Sequence, residues 1–227
     1  MRKIKFIYFD GMHVLFEKRR EDGYFFEKEI GIKESDYERI VLEVAESEPS
    51  EVQYMFWHAS TIEEETAYLD RFNTDLCKYI GIEPSPSLIK RLTYLRMHGD
   101  YILKEGVEET LETLSHQFQL GVLTNAMPSR RYHELTINGI NKYFSSIIIS
   151  REIGSFKPDN KIYEVAIENA KVLGDEILFL DDKVKYLDGA KEVGIQHCVL
   201  LNINNENTTK YPMINKFSEI INITQNL

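Results

Sequence analysis

Acidic residues follow two short apolar runs in this chain of 227 residues. Asp10 follows residues 4–9, and Asp181 with Asp182 follows residues 177–180. Short apolar, β-branched runs are typical of buried strands. A carboxylate at a strand end is either a turn residue or a nucleophile that forms a covalent intermediate. Two adjacent carboxylates repel each other, so this pair either caps a following helix or binds Mg²⁺, which prefers carboxylate oxygens.

Two further polar sequences occupy comparable places. Thr124 and Asn125 follow the apolar run 120–123, where they form either an ordinary polar turn or a set of anion-binding groups. Lys157 precedes Pro158, and proline disfavours the α region for the residue before it. This keeps Lys157 extended ahead of the next helix. Taken alone, Lys157 is either a solvated lysine in a turn or a buried charge that a site uses.

The elements that position these residues alternate between strands and helices. Strands are predicted at residues 4–9, 120–123, 147–149, 177–180 and 197–201. Between them, apolar residues with helical spacing predict helices after Gly106, at 162–173 with a stop at Gly174, and at 187–193. This alternation is typical of βαβ units in a parallel sheet. Ligands of such sheets bind beyond the carboxyl ends of the strands, where the polar residues above lie.

One long segment interrupts the alternation. Residues 17–98 show no strand pattern and predict several helices, which makes them too long for a loop. They contain 18 acidic and 11 basic residues and so account for seven of the ten net negative charges of the chain. The sequence therefore predicts an α/β Rossmann-like core formed by residues 1–16 and 99–227, and an all-α insertion formed by residues 17–98.

The order of the motifs resembles the haloacid dehalogenase-like superfamily. The resemblance rests on IKFIYFD ending at Asp10, GVLTN at 121–125, GSFKPDNKIYEVAIENA at 154–170 and ILFLDDKVKYLDGAKEVGI at 177–195. Residues 106–109 also resemble the segment that precedes the second motif of that superfamily. The match covers the core, and the insertion matches the helical cap that many members carry after the first motif.

The resemblance implies a role for each candidate residue. Asp10 would be the nucleophile, and Lys157 would neutralise both it and a transferred phosphoryl group. Thr124, with Asn125 beside it, would bind that group. Asp10, Asp182 and the backbone carbonyl of Met12 would hold magnesium, with Asp181 as a neighbour of the metal site. Tyr186 stands where the superfamily often has a further acid, so that contact is absent.

One departure from the superfamily affects the chemistry. Phosphatases of this kind usually carry a second Asp two residues after the nucleophile, where it protonates the leaving group and then activates water. Here that residue is Met12, which can do neither. A missing general acid typically costs about 10²–10⁴ in rate. The next residue, His13, is either a flap histidine facing solvent or a substitute acid and base.

Three functional hypotheses remain. The first is a magnesium-dependent phosphatase acting on a small phosphorylated metabolite, a phosphoric monoester or an acyl phosphate, through an aspartyl-phosphate on Asp10. The second is a 2-haloacid dehalogenase, because halide leaves without a proton and needs no acid at Met12. The third is a catalytically impaired binding protein that has kept the fold.

Composition limits the partners and the location. The net charge of −10 argues against nucleic acid and anionic membranes, because phosphate-rich surfaces are bound by clustered Lys and Arg. The apolar start of the chain is too short for a signal peptide, and no apolar run is long enough to span a bilayer. Cys77 and Cys198 show no metal-binding spacing. We therefore expect a cytoplasmic protein, a monomer or weak homodimer, with a small-molecule substrate.

Overall fold

A parallel sheet of six strands carries the carboxyl ends at which the candidate residues lie. The computed structural model describes residues 3–18, 25–99, 101–203 and 210–226. The strands are β1 (Phe6–Phe9), β2 (Phe16–Lys18), β3 (Tyr101–Leu103), β4 (Gln119–Thr124), β5 (Phe144–Ile149), β6 (Ile177–Asp181), β7 (His197–Leu201) and β8 (Met213–Ile214). The large sheet has the order β5-β4-β1-β6-β7-β8 and every pairing in it is parallel.

Helices precede, separate and follow the strands. They are α1 (Phe25–Ile30), α2 (Glu34–Ser47), α3 (Ser50–His58), α4 (Ile62–Tyr79), α5 (Pro86–Met97), α6 (Val107–Ser115), α7 (Pro128–Ile137), α8 (Ser150–Ile153), α9 (Asn160–Ala170), α10 (Val184–Glu192) and α11 (Ile220–Gln225). The predicted α/β class, with a parallel sheet and a helical insertion, is confirmed. Among the described residues, no helix is both long and apolar enough to cross a membrane.

The sheet is buried on both faces, because successive side chains of a strand point to opposite sides. Along β1, Ile7 and Phe9 pack into the apolar cluster that contains Leu111 of α6. Phe6 and Tyr8 of the same strand pack into the opposite cluster, around α9 and α10. Since β1 is covered on both faces and paired on both edges, the position of the residue that follows it is closely determined.

Contacts divide the chain into two units. The sheet unit comprises Met1–Lys18, Tyr101–Ala126 and Glu134–Leu227, and the helical unit comprises Arg19–Asp100 and Met127–His133. The helical unit has its own apolar core, which includes Phe26, Val44, Phe72, Leu76 and Leu92.

Two local features differ from the sequence-based expectations. Residues 17–98 were predicted to be helical throughout, but β2 continues to Lys18 and pairs with β3 in a small antiparallel sheet. The helix predicted to stop at Gly174 ends at Ala170, where Lys171 adopts a left-handed φ of 55°. Gly174 instead begins a short 3₁₀ helix. Three-residue strands carry too few residues to show a period, which explains why β2 and β3 were missed.

Candidate active site

Three neighbouring strands bring the candidate residues to one edge of the sheet. Strand β1 lies between β4 and β6, so the residues that end these strands are neighbours. Asp10 follows β1 directly, and its backbone N–H donates to the carbonyl of Leu180 on β6 at 3.0 Å. Thr124 ends β4 and Asp181 ends β6. The parallel register therefore assembles the site from residues that are far apart in sequence.

Three carboxylates form a cluster at this edge. Asp10, Asp181 and Asp182 each offer an oxygen, and these oxygens lie within 4.8 Å of one another. All three residues are buried. Nζ of Lys157 lies between two of them, 2.7 Å from Oδ1 of Asp10 and 2.6 Å from Oδ2 of Asp181. The Lys157 side chain is fully buried, so this ammonium depends on the two carboxylates for its solvation.

Burial and mutual charge determine the protonation of the cluster. Burial by itself lowers the pKa of Lys157, but the Asp10 and Asp181 carboxylates outweigh it and hold that pKa above its ordinary value. Burial raises the pKa of Asp181, although Lys157 opposes the rise. Burial, and after it the Asp10 carboxylate, also raises the pKa of Asp182. Lys157 is therefore positively charged and bridges carboxylates that otherwise repel each other.

The donor set of the cluster fits a hard divalent cation. With all groups ionised, three carboxylates and one ammonium leave two negative charges uncompensated. Asp181 is occupied, since Oδ2 accepts from Lys157 and Oδ1 from the backbone N–H of Lys183 at 2.9 Å. Asp182 accepts no hydrogen bond from the described part of the chain, although it is only 3% exposed. Carboxylate oxygens with spare lone pairs are what Mg²⁺ requires.

Asn125 fixes the main chain around Lys157. Its Oδ1 accepts from the backbone N–H of Lys157 at 2.8 Å, and its Nδ2 donates to the carbonyl of the same residue at 3.0 Å. The second amide hydrogen of Asn125 is directed to the hydroxyl of Tyr186 at 3.5 Å. The ring of Tyr186 in turn lies 4.9 Å from Nζ of Lys157. The side chain of Asn125 therefore orients the ammonium that bridges the carboxylates.

The turn after Asp10 carries Met12 and His13. Met12 is partly buried and His13 is exposed. His13 has a φ of 66°, a left-handed conformation that glycine adopts most easily. Its backbone N–H donates to the carbonyl of Phe16 at 2.7 Å, and its carbonyl accepts from Nζ of Lys104 at 2.6 Å. Backbone contacts therefore hold this turn, and the imidazole of His13 remains at the surface.

The structure places every residue named from the sequence at or beside this edge, and it adds contacts that the sequence did not predict. Asp181, expected only as a neighbour of a metal site, forms an ion pair with Lys157. Asn125, expected to bind phosphate, uses its side-chain amide on the main chain of Lys157. Lys104, which no motif indicated, holds the turn. The roles of the site residues in binding and catalysis stay predictions.

Comparison with protein families gives one match over more than half of the chain. Residues 49–200 match the family model described as haloacid dehalogenase-like hydrolase. This range contains Thr124, Asn125, Lys157, Asp181 and Asp182, and Asp10 precedes it.

Curated relatives match a smaller part. The chain is 29% identical over 131 residues to a glyceraldehyde 3-phosphate phosphatase of Methanopyrus kandleri, covering 53% of this chain and 54% of the relative. It is 28% identical over 98 residues to a phosphorylated carbohydrates phosphatase of Thermotoga maritima, covering 42% of this chain and 45% of the relative. The chain thus spans about half the length of the curated relatives it matches.

Solved structures match over nearly the whole chain. A 2-haloacid dehalogenase from Pseudomonas syringae superposes with a TM-score of 0.70 at 19% identity, covering 98% of this chain and 99% of that one. The Bacillus subtilis protein YfnB, whose structure is bound to magnesium, superposes with a TM-score of 0.64 at 18% identity and the same coverage. At these identities the likeness establishes the fold.

Proposed function

This chain belongs to the haloacid dehalogenase-like hydrolase family, and on that premise we propose that it is a magnesium-dependent phosphatase of small phosphorylated metabolites. The observation that carries the proposal is the carboxylate cluster at the strand ends, with the Lys157 ammonium bonded to both Asp10 and Asp181. The curated relatives named for phosphorylated substrates support the substrate class. The sheet unit serves as the catalytic core and the helical unit as the cap.

Asp10 is the nucleophile in this mechanism. A carboxylate oxygen of Asp10 attacks phosphorus, the bond from phosphorus to the leaving oxygen breaks, and an aspartyl-phosphate forms. Water then cleaves the aspartyl-phosphate, which restores the carboxylate and releases inorganic phosphate. Lys157, placed at 2.7 Å from Asp10, stabilises the negative charge that develops on the phosphoryl oxygens. Thr124, at the end of β4, donates a hydrogen bond to the same group.

Magnesium completes the charge balance of the site. Asp10, Asp182 and the backbone carbonyl of Met12 hold the ion, which fits the unpartnered carboxylate of Asp182 and the two uncompensated charges of the cluster. When bound, the ion supplies positive charge next to the phosphoryl group. Asn125 contributes by holding the backbone of Lys157 in place.

Met12 determines which leaving groups are suitable. A thioether cannot protonate a departing oxygen, so an alkoxide would leave poorly. The carboxylate that leaves an acyl phosphate is a weak base and needs no proton. We therefore place acyl phosphates ahead of alkyl phosphates among the substrates. His13, exposed and adjacent to Met12, is the one nearby titratable side chain that we propose as a substitute acid.

Met12 also favours a second candidate, a 2-haloacid dehalogenase. There a carboxylate oxygen of Asp10 attacks the carbon that bears the halogen, the carbon–halogen bond breaks, and halide leaves without a proton. Water then hydrolyses the resulting ester on Asp10. This reaction makes no use of a cation at Asp182, so release of halide in the presence of EDTA distinguishes it from the phosphatase.

The deciding experiment is a phosphatase screen with magnesium over acyl phosphates, sugar phosphates and nucleotides. We expect turnover by the wild type and a loss of at least about 10⁴ in Asp10→Asn, since losses of that size follow removal of a nucleophile. Glu109→Gln, an exposed acid of α6, is the matched control and should keep full activity. Wild-type turnover that survives in Asp10→Asn, or no turnover of any phosphate, contradicts the proposal.

A further inference from the structure

A second cavity lies wholly within the helical unit. It has a volume of about 390 Å³ and is lined by ten described residues between Val41 and Arg96. None of them belongs to the aspartate site. The volume falls in the range of about 300–1,000 Å³ that is usual for small-molecule pockets. The residues that line it are Val41, Leu42, Ala45, Glu46, Glu48, Gln53, Tyr68, Leu69, Phe72 and Arg96.

The walls of the cavity are mainly apolar. Helix α4 contributes Leu69 and Phe72, both buried, and α2 contributes Val41 and Ala45. Leu42, also on α2, is 61% exposed although it is a large apolar side chain. An apolar pocket with an exposed apolar residue at its lining is suited to a molecule with an apolar body.

Arg96 presents one buried nitrogen to this cavity without a partner. Its Nε donates to Oδ1 of Asn73 at 2.7 Å, and Nη1 donates to the hydroxyl of Tyr37. Its guanidinium carbon lies 4.5 Å from the ring centre of Phe26. These contacts fix the guanidinium, yet Nη2 is buried and has no hydrogen-bond partner. A fixed donor without an acceptor is prepared to bind one.

Glu48 presents the complementary group. It follows α2, is only 7% exposed, and lines the same cavity. Its backbone carbonyl accepts from Nε2 of Gln53 at 3.0 Å, but its side-chain oxygen Oε1 is buried without a partner. Buried polar atoms in native proteins are nearly always hydrogen-bonded, so two orphans at one cavity require an explanation.

We propose that this cavity is a binding site for a small, mainly apolar molecule that carries a hydrogen-bond acceptor for Arg96 and a donor for Glu48. The site goes beyond the proposed phosphatase function and shares no residue with it. The apolar body replaces water against Leu69 and Phe72, and the two polar ends pair with the orphaned atoms. Hydrogen bonds to otherwise unpaired buried groups give such a site its selectivity.

The probes for a test are 4-hydroxyphenylacetate, phenylacetate and 4-ethylphenol. The first offers both a hydroxyl donor and a carboxylate acceptor, the second lacks the hydroxyl, and the third lacks the carboxylate. The full chain is labelled at its methyl groups, and NMR shifts of Val41, Leu42 and Leu69 are followed during titration. We expect saturable shifts, with the first probe binding most tightly. This readout reports on the helical unit whether or not the protein hydrolyses phosphate.

Variants assign the binding to this cavity. Ala45→Phe, or Ala45→Leu where the larger side chain prevents folding, fills the space and should abolish the shifts. Glu48→Gln should weaken 4-hydroxyphenylacetate by about tenfold, as expected for the loss of a hydrogen bond to a charged group, and should leave phenylacetate unchanged. Glu46→Gln, an exposed acid at the same cavity, is the matched control.

Two results would overturn the proposal. One is the absence of saturable shifts with all three probes up to millimolar concentration, which means that the cavity holds water only. The other is binding that persists in both Ala45 variants, which places the probes elsewhere on the protein.

Discussion

The sheet unit and the helical unit both bury charged side chains, but they satisfy them differently. In the sheet unit, the ammonium of Lys157 contacts two carboxylates, at 2.7 and 2.6 Å. In the helical unit, Glu48 and Arg96 each line the same cavity with a buried atom that has no partner. One region carries an excess of charge in direct contact, and the other carries opposite charges without contact.

This difference indicates what each region lacks. A cluster with more carboxylates than ammonium groups is completed by a cation, and Lys157 alone does not neutralise it. A cavity with one orphaned donor and one orphaned acceptor is completed by a neutral or weakly charged molecule that reaches both. The following variants change one of the two arrangements at a time.

The largest effect is expected from Lys157→Met. Removing the ammonium leaves Asp10 and Asp181 buried side by side without a partner, which typically costs about 3–5 kcal/mol of unfolding free energy. Phosphatase activity should be lost as well. Urea unfolding in EDTA measures the stability without interference from bound metal. Lys161→Met, an exposed lysine on α9, should stay within about 0.5 kcal/mol of the wild type.

Adding Asn at Asp181 tests the explanation. In the double variant Lys157→Met with Asp181→Asn, one of the two opposed charges is gone, so part of the lost stability should return. If Lys157→Met alone unfolds like the wild type, the ammonium does not balance the cluster and the comparison between the two units fails.

The next effect is a gain of activity in Met12→Asp. A carboxyl group two residues after Asp10 supplies the missing acid, so kcat/KM for an alkyl phosphate should rise by about 10² or more. Acetyl phosphate, whose leaving group needs no proton, should gain little. The variant also adds a negative charge to the cluster and should be less stable in EDTA. Met12→Asn is the control of similar size that cannot titrate.

An equal gain on both substrates would show that protonation of the leaving group is not what Met12 limits. Where His13 already supplies the proton, His13→Asn should lower the alkyl phosphate rate of the wild type and leave that of Met12→Asp unchanged. Asparagine is chosen because it tolerates the left-handed φ of 66° at this position.

Much of the sheet unit could be predicted from the sequence, because apolar runs and the polar residues that end them follow the geometry of parallel strands. The residues Asp10, Thr124 and Asp181 lie at strand ends as expected. The partner of Lys157 could not be predicted in this way. A motif names the residue types, but the sequence does not contain the path of the side chain to Asp181.

The helical unit was less predictable. Its helices follow from apolar spacing, and its core follows from them. The orphaned atoms of Glu48 and Arg96 arise from packing between α2, α4 and α5, so no local pattern indicates them. Asn125 is an intermediate case, because its position was evident while its contact with the main chain of Lys157 depends on the loop before α9.

A smaller effect is expected from Asn125→Ala. The change removes two hydrogen bonds to the main chain of Lys157 and should cost about 1–3 kcal/mol of unfolding free energy. Because the ammonium of Lys157 is then less well placed, kcat should fall while KM changes little. Asn169→Ala, an exposed residue of α9, is the control. A change in KM alone would instead indicate that Asn125 contacts the substrate.

The smallest effect is a gain of stability in Glu48→Gln. Burial raises the pKa of Glu48, with Asp75 adding to the rise and Arg71 opposing it. Burying the charged form is therefore unfavourable, and a neutral amide should stabilise the protein by about 1 kcal/mol, or roughly 2–4 °C in Tm.

The pH dependence of this gain identifies its cause. A carboxyl group whose pKa is raised by folding binds more protons in the folded state, so its cost is present above the folded pKa and disappears below the ordinary value of 4.5. The difference in Tm between Glu48→Gln and the wild type should therefore be largest at neutral pH and shrink below that value. Glu46→Gln should show no such dependence. A difference that stays constant with pH would mean that Glu48 is satisfied in the folded protein, and the contrast between the two units would then rest on Arg96 alone.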